Sequence, residues 1–436
     1  FGVRGQNLTM KSQIDLIIHS KFVIPVIPEN MILQDYSLAI DKGRIVAIAP
    51  TKEIQSNWHP KEEEFLQNHL LLPGFINCDA QITQNLLKIL QINESVAPEH
   101  SSIKNIQDSI LDENFVFDAC VVGIHELVRK GITCFGHNVI FPEAMISAAK
   151  SIGIKLQVGL VLQNKKSNYA KEFGDYLRLG LSIRDKYKDL STLKFAFSID
   201  QNDLVKSEQL SITTKYANEL EMPINIVFHN NADVKFVVDS LESAGVLNEQ
   251  TQLSGIESIT DDLCCTLKRY NCKVLHTPLT TRYPDEYFKT LFQLEGNNPN
   301  FSFATANTNK FSTLDVFELM KVTGILARIN LSPDSDLLAH QLIRMATING
   351  ARAFGWESQI GSLEQGKDAD IIAINLDQML GLSLDQLPER IIFSEIEKKI
   401  SHSWSKGENL MRDQSVNRIP VSTVNTIVER WLNNKE

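Results

Sequence analysis

The middle of the chain alternates between two hydrophobic patterns. Short apolar runs, typical of buried strands, are separated by longer segments in which apolar residues recur every three or four positions, as in amphipathic helices. Eight strands are predicted, at residues 72–78, 133–136, 155–162, 194–198, 224–228, 252–255, 273–276 and 301–305. The clearest helical segments lie between or after them, at residues 117–130, 143–152, 207–220, 259–270, 314–323 and 337–354. This alternation predicts an α/β fold, with a (β/α)8 TIM barrel over residues 73–362.

Both ends of the chain have a different pattern, in which short β-rich runs are separated by turn residues. Lys42-Gly43, between two apolar runs, is one hairpin signal. Because chain termini commonly lie close together, we expect residues 14–72 and 363–436 to form one composite β-sandwich. Residues 1–13 lack the apolar core of a signal peptide, and we interpret them as an N-terminal extension that begins with a cloning remnant.

The composition excludes several classes of partner. The 436-residue chain is 43% hydrophobic and carries a formal net charge of −10, which argues against binding to nucleic acid or to an anionic membrane. No apolar run approaches the roughly 20 residues that a transmembrane helix needs. The six cysteines follow neither a disulfide pattern nor a zinc-ribbon spacing. We therefore expect reduced thiols and a cytoplasmic location.

Three stretches of sequence resemble the metal-dependent amidohydrolases. Residues 70–81 read LLLPGFINCDAQ, residues 43–48 read GRIVAI, and residues 344–372 contain RMATINGARAFG followed by IGSLEQGKDADII. The chain looks most similar to the branch that holds triazine hydrolases, guanine deaminases and methylthioadenosine/S-adenosylhomocysteine deaminases. This resemblance implies a barrel with a small β-sandwich, hydrolysis of non-peptide C–N bonds, and assembly into a homo-oligomer.

The resemblance also identifies the positions that bind the catalytic metal in the family. They are a His-x-His pair on strand 1, one histidine each on strands 5 and 6, and an aspartate on strand 8. The matching positions of this chain hold Asp79, Gln81, Val227, Gly255 and Ala306. Three of these side chains have no donor atom, and two oxygen donors without imidazole make a weak site for zinc or iron. We therefore expect a barrel without a metal or another cofactor.

The polar residues left at the strand ends allow two interpretations each. Asp79 is either a general base with a raised pKa or the partner of a basic side chain. His276, which matches a histidine of the family's strand 7, either hydrogen-bonds a ligand or is satisfied within the barrel. His229 and Asn230 either line a pocket or cap the following helix. The predicted pocket-lining residues are Gln81, Ser198, His229, Asn230 and Asn307.

Three functional hypotheses follow. The first is a pseudoenzyme, an amidohydrolase-like barrel that has lost its metal site and keeps a pocket for a small heterocyclic ligand. The second is an active hydrolase or deaminase on a purine- or triazine-like ring, with Asp79 and His276 as catalytic residues, supported by His229 or a non-standard metal site. The third is an ordinary metal-dependent hydrolase whose ligands lie elsewhere, which is disfavoured because the chain has only ten histidines. We expect the first.

Overall fold

The structure is a computed structural model that describes most of the chain. The described residues are 12–92, 111–203, 207–229, 233–257, 259–279, 300–306, 314–330, 338–377, 383–393 and 400–433. The expected cloning remnant lies outside them. Within the described ranges, no helix combines the length and the apolar character needed to cross a membrane.

The N-terminal part of the chain supplies one half of a mixed sheet. Its strands are β1 (Ser12–Val23), β2 (Leu33–Gln34), β3 (Tyr36–Asp41), β4 (Arg44–Pro50) and β5 (Trp58–Pro73). The β3–β4 hairpin turns at Lys42 and Gly43, as the sequence predicts. β1 lies at the centre of this half, antiparallel to β3 and parallel to β5.

Eight parallel strands then form a barrel in which each strand pairs with the next one along the chain. They are β6 (Phe75–Asn77), β7 (Ile132–Val139), β8 (Lys155–Leu162), β9 (Leu193–Asp200), β10 (Ile224–Val227), β11 (Thr251–Ser254), β12 (Lys273–His276) and β13 (Phe301–Phe303). Each overlaps one predicted strand, so the TIM-barrel prediction is confirmed. The strands are almost wholly buried, which explains their nearly continuous apolar sequence.

The first and last barrel strands are joined by hydrogen bonds that nearly close the cylinder. The backbone N–H of Cys78 donates to the carbonyl oxygen of Phe303 at 2.8 Å. The buried side chain of Asn77 donates to the Thr305 hydroxyl at 2.8 Å and accepts from the Thr305 backbone N–H at 3.1 Å. The asparagine of the PGFIN motif therefore has a structural role, since it ties strand 1 to strand 8.

The C-terminal part of the chain adds four strands to the mixed sheet of the N-terminal part, as expected. We call this shared sheet the terminal sheet. Its strands are β14 (Ile371–Asn375), β15 (Ile400–Ser405), β16 (Glu408–Arg412) and β17 (Ser415–Val416). β14 pairs with β5 in an antiparallel ladder, and this pairing unites both chain ends in a single nine-stranded sheet. A separate core, which includes Ile18, Ile40 and Trp404, is buried within this part of the molecule.

Helices connect these strands. In chain order they are α1 (Thr51–Asn57), α2 (Thr83–Ile92), α3 (Glu113–Arg129), α4 (Pro142–Ile152), α5 (Phe173–Tyr187), α6 (Ser207–Leu220), α7 (Val234–Ser243), α8 (Asp261–Arg269), α9 (Val316–Asn330), α10 (Leu338–Ala346), α11 (Ile348–Ala353), α12 (Leu387–Phe393) and α13 (Val421–Asn433). One prediction differs from the structure. The single helix expected at 337–354 is interrupted at Thr347, whose φ of −132° and ψ of −94° are not helical.

A buried ion cluster fixes the barrel to the terminal sheet. Lys155, the first residue of β8, is fully buried, and its Nζ lies 2.6 Å from Oδ1 of Asp370 and 3.3 Å from Oδ2 of Asp368. Burial opposes the charged ammonium, but the two carboxylates outweigh it and raise the pKa of Lys155. The same oxygen of Asp370 accepts the backbone N–H of Lys406 at 2.9 Å. These contacts join β8 to the loops at both ends of the β14–β15 segment.

The last helix, α13, packs on the barrel helix α3 and not in the terminal sheet. The ring of Trp431 meets that of Phe115 edge-on, with centroids 5.0 Å apart. The indole Nε1 of Trp431 donates to Oδ2 of Asp118 at 2.7 Å, and Arg430 binds the same carboxylate. An aromatic contact and a charged contact therefore hold the C-terminal helix against the outside of the barrel.

Candidate functional site at the barrel mouth

The positions that the family uses for metal binding lie where the barrel strands end. Asp79 comes two residues after β6, Val227 is the last residue of β10, Gly255 directly follows β11, and Ala306 comes three residues after β13. The backbone N–H of Ala306 donates to the carbonyl oxygen of Asp79 at 2.8 Å. Barrels of this type place their ligand sites at the carboxyl ends of the strands. We therefore treat this end, the barrel mouth, as the candidate site.

Asp79 is a buried carboxyl group that forms no salt bridge within the described part of the chain. Its side chain is only 3% exposed, and Oδ1 accepts a hydrogen bond of 2.7 Å from the amide of Gln81. Burial raises the pKa of Asp79 to about 6, although hydrogen bonds from Gln81 and Ser254 and the charge of His229 act in the opposite direction. Asp79 can therefore gain or lose a proton close to neutral pH.

His229 and Asp200 form a hydrogen-bonded ion pair at the same mouth. Nε2 of His229, two residues beyond β10, lies 2.6 Å from Oδ2 of Asp200, the last residue of β9. The hydrogen bond with Asp200 raises the pKa of His229 against the effect of burial, and the charge of Asp79 adds to the rise. Burial would raise the pKa of Asp200, but the hydrogen bond and charge of His229, together with two hydrogen bonds from Asn202, outweigh this and lower it. Asp79, His229 and Asp200 are therefore electrostatically coupled.

Sequence reasoning missed Asp200 and Ser254. Asp200 ends the fourth barrel strand and Ser254 ends the sixth, so their only signal was a polar side chain at a strand's carboxyl end. His229 was expected either to line a pocket or to cap the next helix. The cap of α7 is instead Asp233, which accepts the backbone N–H of Phe236 at 3.0 Å.

His276 is placed differently from Asp79 and His229. Its ring is fully buried, and Nε2 lies 3.3 Å from the hydroxyl of Thr323 on α9, the helix that follows the last barrel strand. Burial lowers the pKa of His276 to about 3. This contact holds a neutral imidazole against the helix, and the role of His276 towards a ligand stays a prediction. None of its described contacts reaches Asp79, Gln81 or His229.

Of the remaining predicted residues, the structure describes Ser198 but not Asn230 or Asn307. Ser198 lies on β9 and is buried, on the same side of the strand as Asp200 by the alternation of side chains. Cys78 is buried beside Asp79, and burial raises the pKa of its thiol to about 12, so it is not an activated nucleophile. Asn230 and Asn307 lie outside the described residues.

Gly255 occupies the position of the family's strand-6 histidine, and its backbone leaves no room for a side chain. Its φ is +76°, in the left-handed region that L-residues rarely adopt. A Cβ atom at this position would lie 2.3 Å from the carbonyl oxygen of Phe228. Any other residue at 255 therefore requires the end of β10 to move.

We expect Gly255→Ala to destabilise the fold by about 2 kcal/mol, from the positive φ and from the clash with Phe228. The matched control is Gly245→Ala, because Gly245 also has a positive φ of +68° but a Cβ atom there would meet no other atom within 4 Å. The control variant should lose about 1 kcal/mol of unfolding free energy, from the positive φ alone. Urea denaturation of both variants checks this. Equal losses would show that β10 relaxes freely around residue 255.

The donor set that the described residues offer at the mouth does not fit the metal that the family's motifs imply. Val227, Gly255 and Ala306 offer no side-chain donor, and the amide of Gln81 is already bonded to Asp79. Among the described residues, no group of three or more His, Cys, Asp or Glu side chains is placed to hold a metal ion. Zinc sites in proteins use three or four such ligands. The chemistry of these residues therefore gives no basis for a metal-bound step.

Comparison with known proteins supports the resemblance found in the sequence. The family model "Amidohydrolase family" matches residues 70–410. A 5-methylthioadenosine/S-adenosylhomocysteine deaminase from Saccharophagus degradans is 26% identical over 442 residues, covering 97% of each chain. A 5'-deoxyadenosine deaminase from Methanosphaera stadtmanae is 22% identical over 361 residues, covering 80% of this chain and 84% of the relative.

Solved structures share the fold along almost the whole chain. An adenosine deaminase from Xanthomonas campestris with bound zinc has a TM-score of 0.84 at 21% identity, covering 97% of this chain and 99% of the other. An atrazine chlorohydrolase mutant from Arthrobacter aurescens, complexed with zinc and atraton, has a TM-score of 0.81 at 16% identity, covering 96% and 100%. The family match spans most of the chain. The protein belongs to the amidohydrolase family.

Proposed function

We propose that this protein binds a small nitrogen heterocycle at the barrel mouth and does not hydrolyse it by the metal-dependent route of its family. The observation that carries the proposal is that other residues replace the family's metal ligands. These residues are Asp79, Gln81 and three whose side chains have no donor atom. Gly255 adds to it, because its backbone excludes the imidazole that the family places there.

The energetics of hydrolysis support the inactive half of the proposal. A bound metal lowers the pKa of water to about 7 and so supplies hydroxide at neutral pH. Without it, a general acid or base such as Asp79 contributes about 10²- to 10⁴-fold. Enzymes typically accelerate their reactions by roughly 10⁶-fold or more. The rate acceleration expected from Asp79, His229 and Asp200 alone is thus too small for enzymatic deamination.

The chemistry of the mouth supports the binding half. Asp79, with a pKa of about 6, can donate or accept a hydrogen bond near neutral pH, and Gln81 holds its carboxyl group in place. A heterocycle with an amino group beside a ring nitrogen presents one donor and one acceptor to such a group. The names of the two relatives given above describe deaminases of adenosine derivatives. We therefore infer an adenine nucleoside or a similar ring as the ligand class.

The test measures metal, turnover and binding on one preparation made without chelator. We expect elemental analysis to find far less than one zinc, iron, nickel or manganese ion per chain. We expect no ammonia release from adenosine, methylthioadenosine, guanine or triazines. Calorimetry should detect one of these compounds binding, and Asp79→Ala should weaken that binding at least about tenfold, as expected for a lost hydrogen bond to a charged group. The control Asp239→Asn, on the exposed face of α7, should bind as the wild type does.

Each other outcome contradicts a distinct part of the proposal. One tightly held ion per chain, with ammonia release that a chelator stops, would identify a metal-dependent hydrolase. Release that persists in chelator would identify catalysis by rewired residues. Absence of binding across the panel would refute the retained ligand site.

A further inference from the structure

A large cavity lies at the end of the barrel opposite to the mouth. Its volume is about 980 Å³, and it is lined by residues at the N-terminal ends of five successive strands, β9 to β13. These residues include Lys194, Pro223, Gln250, Lys273 and Asn300. The cavity is large enough for a small metabolite, since ligand pockets commonly measure about 300–1,000 Å³. It shares no lining residue with the candidate site at the mouth.

Positive side chains form the deep part of this cavity. Lys273 is 9% exposed and Arg344 is 8% exposed, and Lys194 and Arg352 are half-buried. Lys273 donates to Oδ1 of Asn300 at 3.0 Å, and Lys194 donates to the carbonyl oxygen of Gly355. The neutral oxygens of these partners orient the ammonium groups but do not neutralise them.

Negative side chains lie only at the rim. Glu29, Glu221, Glu249 and Glu357 also line the cavity, and all four are exposed. Glu29 pairs with Arg344, with Oε1 and Nη1 2.5 Å apart. In the part of the chain that the structure describes, neither Lys194 nor Lys273 forms a salt bridge with a carboxylate. Two further cations, Arg184 and Lys188, line the cavity, and Lys188 is exposed like these carboxylates. The most buried charges of the lining are therefore positive.

The buried cations have an unfavourable environment as they stand. Burial lowers the pKa of Lys194 and Lys273. The charge of Glu249 acts to raise the pKa of Lys273, and that of Glu357 acts to raise both. Burial also lowers the pKa of Arg344, although its salt bridge with Glu29 acts to raise it, so of these three cations the two lysines are the ones without a carboxylate partner among the described residues. Burying a charge without a paired counter-charge is costly, and an anion that enters the cavity recovers part of that cost.

We propose that this cavity is a binding site for a small molecule that carries a phosphate group. A phosphate offers several acceptor oxygens to Lys194, Lys273 and Arg352, and Arg and Lys are the usual partners of such groups. Apolar side chains also line the cavity and provide a surface for the organic part of the ligand; they include Phe195, Met222 and Phe354. The site is separate from the mouth and does not depend on the function proposed there.

The test is calorimetric titration of the full-length protein at fixed ionic strength with inorganic phosphate, pyrophosphate and ribose 5-phosphate, with ribose as the neutral control. We expect saturable binding of at least one anion and none of ribose. Tighter binding of ribose 5-phosphate than of inorganic phosphate would support a phosphorylated metabolite, and the reverse order would overturn that half of the proposal in favour of the free anion. Lys194→Gln and Arg352→Gln should each weaken binding at least about tenfold, the effect of losing one charge-assisted hydrogen bond.

Two further variants separate a specific site from general charge. Arg352→Lys keeps the charge and should retain most of the affinity. Lys235→Gln removes an exposed cation of α7, away from the cavity, and should not change binding. Circular dichroism checks that each variant is folded. Absence of saturable binding in the wild type, or the same loss in Lys235→Gln as in Arg352→Gln, would overturn the proposal.

Discussion

Asp79→Asn is expected to be more stable than the wild type by roughly 3 kcal/mol at pH 7.5. The folded state raises the pKa of Asp79 from 3.8 to about 6, and a pKa difference of one between the folded and unfolded states corresponds to about 1.4 kcal/mol. Between these two pKa values the folded protein binds the proton that the unfolded chain has released, so stability falls as the pH rises from about 4 to 6. An asparagine has no charge to bury and avoids this loss.

Urea denaturation at pH 4 and pH 7.5 measures the effect. The advantage of Asp79→Asn should be present at pH 7.5 and absent at pH 4, where Asp79 of the wild type is protonated in the folded state. Asp200→Asn is the matched control with the opposite sign, because the contacts with His229 and Asn202 together lower the pKa of Asp200 and so stabilise its charge. A less stable Asp79→Asn at pH 7.5 would mean that the carboxylate is stabilised in the folded protein. Natural proteins tolerate such unfavourable groups mainly at functional sites.

Lys155→Met is expected to destabilise the protein by about 3–5 kcal/mol, the typical cost of leaving a buried charge without its partner. The methionine fills a similar volume, but Asp368 and Asp370 remain 3% exposed with no cation between them. Thermal and urea unfolding at pH 7 provide the measurement.

Two comparisons identify the cause of the loss. The triple variant with Lys155→Met, Asp368→Asn and Asp370→Asn should recover much of the stability, since it removes the unpaired charges as well. Lys21→Met, which breaks the exposed pair with Asp35, should have no measurable effect. A wild-type-like Lys155→Met would show that the two loops reach solvent when the lysine is absent.

The barrel was predictable because its signal is local. Each strand is a short apolar run between turn residues, and all eight runs fell on observed strands. The interruption of the predicted helix 337–354 was not predictable, because Thr347 is a residue that helices tolerate. The contacts that join the two parts of the molecule were also missed. Lys155 and Asp370 are 215 residues apart, and hydrophobic periodicity carries no information about such pairs.

The candidate site was predictable only where a family motif marked it. Asp79 and Gln81 stand in a recognisable motif, and the structure brings them together by a hydrogen bond. Asp200 was missed because its importance comes from its hydrogen bond with His229, which lies just beyond the end of the neighbouring strand β10. The conformation of Gly255 was missed because a glycine in a sequence does not report the sign of its φ. His276 retains the family's residue type, but its described partner, Thr323, lies on a helix distant in sequence.

The pairing of β5 with β14 sets an order of events on the ribosome. About 300 residues separate the end of β5 from the start of β14. At a synthesis rate of about 5–20 residues per second, the apolar segment His69–Pro73 waits roughly 15 to 60 s for its partner. An unpaired strand edge of this kind invites association with other chains. We therefore expect newly made copies of this protein to be most prone to such association during synthesis of the barrel, before the C-terminal strands emerge.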